Sequence, residues 1–98
     1  MSSPVIEGFL FDDVNEAKIA SHGLSARQVL QVLDNVHTVV PNRKRRRARY
    51  LVVGRDNGGS CVAIPVEPTH ALYIWRPITA WPRKDRERTL LGKRGRQK

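Results

Sequence analysis

Apolar residues follow a helical period up to about residue 35 and alternate or run together after it, and that change of period divides the chain. Asp12 or Asp13 can cap a helix over roughly 13–21, with Asp13 and Glu16 near its positive end and Ala17, Ile19 and Ala20 as a thin apolar face. His22-Gly23 ends it, the glycine supplying a left-handed cap and His22 reading as part of the helix end. Ser25-Ala26-Arg27-Gln28 then forms a capping box, with Leu24 and Val29 as a hydrophobic staple. Ala26, Val29, Leu30 and Leu33 fall on one face, which predicts a second helix closed by Asp34-Asn35. Ahead of both helices, residues 5–11 are a short apolar edge strand or lead-in.

Strand signals take over after residue 35. Residues 36–40 are stopped by Pro41, and residues 48–54 lead through Asp56-Asn57-Gly58-Gly59 into a strand over 60–66. Pro65 has no N–H for a ladder, so it belongs at a bulge or an edge. Glu67-Pro68-Thr69-His70 turns the chain into a fourth strand over 71–79. Trp81-Pro82 then predicts the start of a last helix, about 82–91, with Pro82 in its first turn and Gly92 as its stop. The expected fold is α+β: two N-terminal helices, an antiparallel sheet of three to four strands, and a C-terminal helix, with the helices on one face of the sheet. One domain over 1–92 and a mobile basic tail over 93–98 account for the chain.

Charge changes this picture, because it is lopsided. Residues 1–42 hold two Lys/Arg against five Asp/Glu, a net −3, while residues 43–98 hold sixteen against four, a net +12. The run Asn42-Arg43-Lys44-Arg45-Arg46-Arg47-Ala48-Arg49-Tyr50 abuts the apolar Leu51-Val52-Val53, which predicts cationic groups held at the ends of a strand. A pI near 10.9 with this asymmetry points to a phosphate-rich partner, nucleic acid before membrane. A membrane partner is disfavoured because no stretch approaches the roughly 18 apolar residues needed to span. The single Cys61 rules out an intrachain disulfide and, within Cys61-Val62-Ala63-Ile64, reads as a buried inert thiol in a reducing, cytoplasmic compartment. The start lacks the basic and apolar regions of a signal peptide. One Cys and three scattered His do not make a zinc site, and Gly54 and Gly58-Gly59 lack P-loop spacing.

Several segments resemble a known family. Phe11-Asp12, Glu16-Ala17-Lys18 and His22-Gly23-Leu24-Ser25 resemble the opening of the BrnT family, toxins of bacterial type II toxin–antitoxin systems. Arg49-Tyr50-Leu51-Val52-Val53-Gly54-Arg55 resembles its Arg-Tyr/Phe-Leu-x-x-Gly-x segment. Ile78-Thr79-Ala80-Trp81, followed by Arg86-Glu87-Arg88, resembles its closing Ile-Ser-Ala-Arg motif and Arg-Glu-Arg helix. The likeness covers about residues 9–90. It implies a RelE-like fold, a ribonuclease that inhibits translation, and neutralisation by a cognate antitoxin that is itself a small DNA-binding repressor. Where the motif has its last arginine this chain has Trp81, leaving Arg76 and Arg83 as the basic residues placed to take over that role.

Metal-independent RNA cleavage uses the 2′-hydroxyl against the adjacent phosphate, so it needs cations for the transition state and groups to move protons. No cofactor is expected. Arginine suits the first task because its fork matches phosphate oxygens, and Arg49, Arg55, Arg76 and Arg83 are the candidates. His70, the one imidazole in the basic half, is the acid–base candidate, ahead of Glu67, Asp56 and Lys84. Arg45, Arg46, Arg47, Lys84 and Arg86 are candidate RNA contacts, with Tyr50 and Trp81 as stacking groups; Trp75 is an alternative stacker or core residue. Two other readings stay open: a non-catalytic nucleic-acid-binding module on the same basic surface, and a ParE-like toxin acting on a protein target.

Overall fold

The computed structural model describes residues 4–42 and 48–83, and its first half is organised by two capping boxes. Helix α1 (Asp13–Ser21) starts at Asp12, whose carboxylate accepts from the Asn15 N–H while the Asn15 side chain accepts from the Asp12 N–H. It ends in a Schellman motif: the Leu24 N–H donates to the Ile19 carbonyl, the Gly23 N–H donates to the Ala20 carbonyl, and Gly23 takes the left-handed conformation at φ 81°. Helix α2 (Ala26–Asp34) starts at the expected Ser25–Gln28 box. Its buried face is not the one expected. Val29 and Val32 are buried and Leu30 is exposed, because α2 also turns Gln28 and Gln31 toward the Asp56–Asn57 turn of the sheet.

Among the described residues six strands form one sheet: β1 (Gly8–Phe9), β2 (His37–Pro41), β3 (Tyr50–Arg55), β4 (Cys61–Pro68), β5 (Ile74–Pro77) and β6 (Trp81–Pro82). Their order is β1-β5-β4-β3-β2, with β6 also beside β4. All pairs are antiparallel except β1–β5, which is parallel. This corrects the expected sheet of three to four antiparallel strands, and with it the RelE-like arrangement. The expected last helix is corrected at its start as well. Trp81 and Pro82 pair with Ala63 and Val62, and the Arg83 N–H donates to the Cys61 carbonyl at 2.9 Å. Strand pairing wins there because it satisfies β4 backbone groups that a helix start would leave unpaired. The rest of that expected helix and the expected tail over 93–98 lie outside the described residues.

β5 and β6 are one strand interrupted by a bulge. Val66 pairs with Pro77 and Ala63 with Trp81, so residues 64–65 of β4 face three residues, 78–80. Pro65 sits opposite this bulge and accepts from the Ile78 N–H at 2.8 Å, so its missing N–H falls where the ladder is already broken, as its sequence position implies. The core lies between the helices and one sheet face. Ile19, Val29, Val32, Val52, Val62, Ile64 and Val66 show no exposure, and each contributes up to about 1.5–3 kcal/mol of transfer free energy. Asn15 is buried among them, its Nδ2 donating to the Leu10 and Pro77 carbonyls and so tying α1 to the ends of β1 and β5. Among the described residues no helix is long and apolar enough to cross a membrane.

Candidate functional site

The candidate arginines do not converge. Arg49 and Arg55 are exposed and bracket β3, about 20 Å apart at 3.3 Å per residue. Arg55 donates to the Gly59 carbonyl at 2.9 Å, bracing its own hairpin turn. Arg76 is only 18% exposed; its Nε donates to Asp12 at 2.7 Å and its Nη1 to Glu67 at 3.0 Å. The hydrogen bond it donates to Asp12, with the one to Glu67, raises its already high pKa, and the same Arg76 contact holds the Asp12 carboxyl below its ordinary range. Arg76 is therefore committed to joining α1, β4 and β5. Arg83 is half-buried beside Cys61, near the Arg55 end of the sheet. His70 is exposed in the turn between β4 and β5, near the opposite end. Arg45, Arg46, Arg47, Lys84 and Arg86 lie outside the described residues.

Aromatic and acidic candidates also resolve. Tyr50 packs edge-to-face on Trp75, with ring centroids 5.6 Å apart, and both rest on the core. Asp56 is buried in the hairpin turn. Burial pushes its carboxyl up, but hydrogen bonds from the Ser60 N–H, the Gln28 side chain and the Gly58 N–H outweigh this and hold it low. Cys61 is buried, as its apolar context implies. Among the described residues no three His, Cys, Asp or Glu side chains are grouped to hold a metal ion.

What the fold does assemble is a cleft between the C-terminal end of α1 and the bulged strand. Lys18, Ser21 and His22 line one side and Ile78, Thr79 and Trp81 the other, around about 450 Å³. That size falls in the range of small-molecule sites, about 300–1,000 Å³. Lys18 and His22 stand one helical turn apart, so a cation and an imidazole share a wall. The Ser21 hydroxyl donates to the Lys18 carbonyl at 2.7 Å, leaving its lone pairs as acceptors. The Thr79 oxygen is buried and has no hydrogen-bond partner.

Three of these residues escape a reading by charge and period. Lys18 is one solvated cation among many, Ser21 carries no signal, and Thr79 sits in an apolar run. His22 reads as a helix end, and its backbone N–H does bond to Ile19 and Ala20. The one available signal is that Lys18, His22 and Thr79 fall in the segments likened above to the BrnT family, while Trp81 is where the chain departs from that motif. Comparison of the chain with family models, with curated proteins and with solved structures finds no match.

Proposed function

We propose that this chain is a BrnT-type toxin, a metal-independent endoribonuclease that cleaves RNA and inhibits translation until a cognate antitoxin binds it. One observation supports the reading: segments 16–18 and 22–25 and segment 78–80, far apart in the chain and alike in resembling that family, contribute to the lining of one cleft. The proposal rests on those residues, and not on the RelE-like arrangement that the sheet corrects.

In this reading the His22 imidazole takes the proton of a ribose 2′-hydroxyl as that oxygen bonds to the adjacent phosphorus. The bond from phosphorus to the 5′-oxygen breaks, and the leaving oxygen takes a proton from the imidazolium so formed. The products are a 2′,3′-cyclic phosphate and a 5′-hydroxyl. Lys18 stabilises the negative charge that builds on the phosphorus oxygens, and Arg83, two residues past Trp81, adds to that field. Cleavage should persist in excess chelator, and Lys18→Gln or His22→Gln should each lower the rate by roughly 10²–10³-fold. A wild-type protein that neither cuts RNA nor slows translation overturns the reading.

A non-catalytic nucleic-acid-binding module is the second reading. The commitment of Arg76 to Asp12 and Glu67 favours it, since that arginine is then not available to replace the one lost at Trp81. It requires RNA binding without cleavage, unaltered by Trp81→Arg.

A further inference from the structure

We infer that Arg55, with the Asn57 amide beside it, seats one backbone phosphate of a bound single strand. The inference deepens the RNA reading above and rests on it for the nature of the polymer.

The seat is an open depression of about 360 Å³ at the β3–β4 turn, lined by Asn35, Val36, Arg55, Asp56, Asn57 and Gly59. Hydrogen bonds fix its frame. Asn35 Nδ2 donates to the Arg55 carbonyl at 2.9 Å and to Asn57 Oδ1 at 3.0 Å, and the Asn57 N–H donates to Gln31 Oε1 at 3.0 Å.

Anchoring and charge together set Arg55 apart from Arg27, Arg49 and Arg76. Arg76 is anchored, but by Asp12 and Glu67, which neutralise it. Arg27 and Arg49 are exposed and show no hydrogen bond or ion pair among the described residues, so nothing there fixes their side chains. Arg55 is held at 2.9 Å by a neutral group, the Gly59 carbonyl, and forms no ion pair among the described residues. One of the five N–H groups of its guanidinium is thus spent on setting the plane, and four keep their capacity to donate. A guanidinium so placed matches phosphate oxygens with little further loss of freedom. The Asn57 Nδ2 group, also without a partner among the described residues, adds a neutral donor to the same lining.

The surroundings favour a phosphate carried by a polymer over a free one. Asp56 and the C-terminal end of α2 border the depression, so a free anion gains little there. Asp56 does not capture Arg55, because its carboxylate takes the Gly58 and Ser60 N–H groups and the Gln28 amide. A strand already held elsewhere needs less attraction at this point, since tethering raises the effective concentration of its next phosphate. Val53, Ala63 and Trp81 are in register, so Arg55 stands two strands across and two residues along from Trp81, about 12 Å at 4.8 Å per strand and 3.3 Å per residue. A strand seated in the cleft therefore reaches Arg55 within a few nucleotides.

The test is fluorescence anisotropy of the full chain with labelled rU12 between about 50 and 200 mM salt. Arg55→Gln should reduce the magnitude of the log–log salt slope by about 0.7, the share of one phosphate on a single strand. Its affinity should fall roughly three- to tenfold, the scale of one net hydrogen bond. Arg55→Lys keeps the charge without the fork, so its slope should return to the wild-type value while its affinity stays below wild type. Comparing these two variants separates contact with phosphate from bracing of the turn, since both lose the guanidinium bond to Gly59. Asn57→Asp keeps the oxygen that accepts from Asn35 and replaces only the Nδ2 group, and it should also bind more weakly. Arg27→Gln should match wild type, and inorganic phosphate should displace RNA no better than its ionic strength accounts for. An unchanged slope in Arg55→Gln, full affinity in Arg55→Lys or Asn57→Asp, or an equal loss in Arg27→Gln overturns the inference and leaves the RNA reading standing. Specific displacement by inorganic phosphate, absent in Arg55→Gln, means a seat for the free ion and overturns it too. A wild-type slope near zero defeats the RNA reading itself and this inference with it.

Discussion

Asn15→Ala tests the largest single debt that the fold places on one polar side chain. Asn15 is fully buried, its Nδ2 donates to Pro77 at 2.9 Å and to Leu10 at 3.0 Å, and its Oδ1 accepts from the Asp12 N–H at 2.9 Å. Alanine removes all three bonds. The Pro77 bond is the buried one, and stranding that carbonyl costs about 1–3 kcal/mol. The Leu10 and Asp12 groups are only part-buried, so each loses closer to the net value of an ordinary bond, about 0.5–1 kcal/mol. The other half of the capping box survives, because it uses the Asn15 backbone N–H. The total is about 3 kcal/mol, a large part of the roughly 5–15 kcal/mol that holds a domain of this size. Thermal unfolding should fall by roughly 12–24 °C, at about 4–8 °C per kcal/mol. Urea unfolding followed by circular dichroism should show a lower midpoint with an unchanged slope. Asn15→Asp, equal in size, should be no better than alanine at neutral pH, since it aims a carboxylate oxygen at two carbonyl oxygens. An Asn15→Ala protein within about 0.5 kcal/mol of wild type would refute the role assigned to this side chain.

Three further outcomes are expected. Asp12→Asn keeps a good helix cap but loses the charge pair with Arg76; because the Asp12 pKa is depressed on folding, its contribution is present above the ordinary value of 3.8 and is lost as pH falls from there through the depressed folded value, so wild type and variant should differ at neutral pH and converge in acid, and a gap independent of pH would contradict this. Gly54→Ala should destabilise by about 1–3 kcal/mol, because its Cβ would meet His37 Cβ at 2.8 Å and Val32 Cγ1 at 2.9 Å, whereas Gly23→Ala should cost about 1 kcal/mol from its positive φ alone; equal urea midpoints would sink the packing argument. RNA affinity should fall with salt at a log–log slope of roughly −3 to −4 if about four to six phosphates are met, and a slope near zero would end the nucleic-acid reading.

What can be read from the chain and what cannot divide by the range of the signal. Ser25 with Gln28, Gly23 after His22, and Asp56 to Gly59 are local: a few neighbouring residues hold both the hydrogen-bond donor and its acceptor, so the pattern is sufficient. Pro65 is legible because a missing N–H limits where it can stand in any sheet. The edge strand expected within residues 5–11 is present as β1, but its parallel pairing is not legible, since its partner lies more than sixty residues on. The bulge at 78–80 is equally silent, and it moves Trp81 from a helix start to a strand. Leu30 and Val32 exchange places because helical period alone does not say which way α2 is rolled on the sheet. Arginine identity says nothing of pairing: Arg76 is spoken for by Asp12, 64 residues away. The cleft depends on two such long-range facts at once, the end of α1 and the bulge, so its residues share no linear pattern.

The distribution of charge then separates two tasks that the sequence runs together. The described residues hold six Lys/Arg and seven Asp/Glu, a net −1, and the excess lies in residues 43–47, with five Lys/Arg and no acid, and 84–98, with seven against two. The first segment lies between β2 and β3 in the chain, and the second follows Arg83. Coulombic attraction to a polyanion must therefore come almost wholly from those two segments, and it is indifferent to base identity. The cleft beside the bulge offers one lysine at the negative end of a helix, too little charge to hold a strand by itself, beside the His22 imidazole and the Trp81 indole. Affinity and cleavage should thus be lost independently. Neutralising residues 43–47 should flatten the salt dependence and leave cleavage of saturating RNA intact, while His22→Gln should do the reverse, and substitutions that moved both quantities together would mean that a single surface performs both tasks.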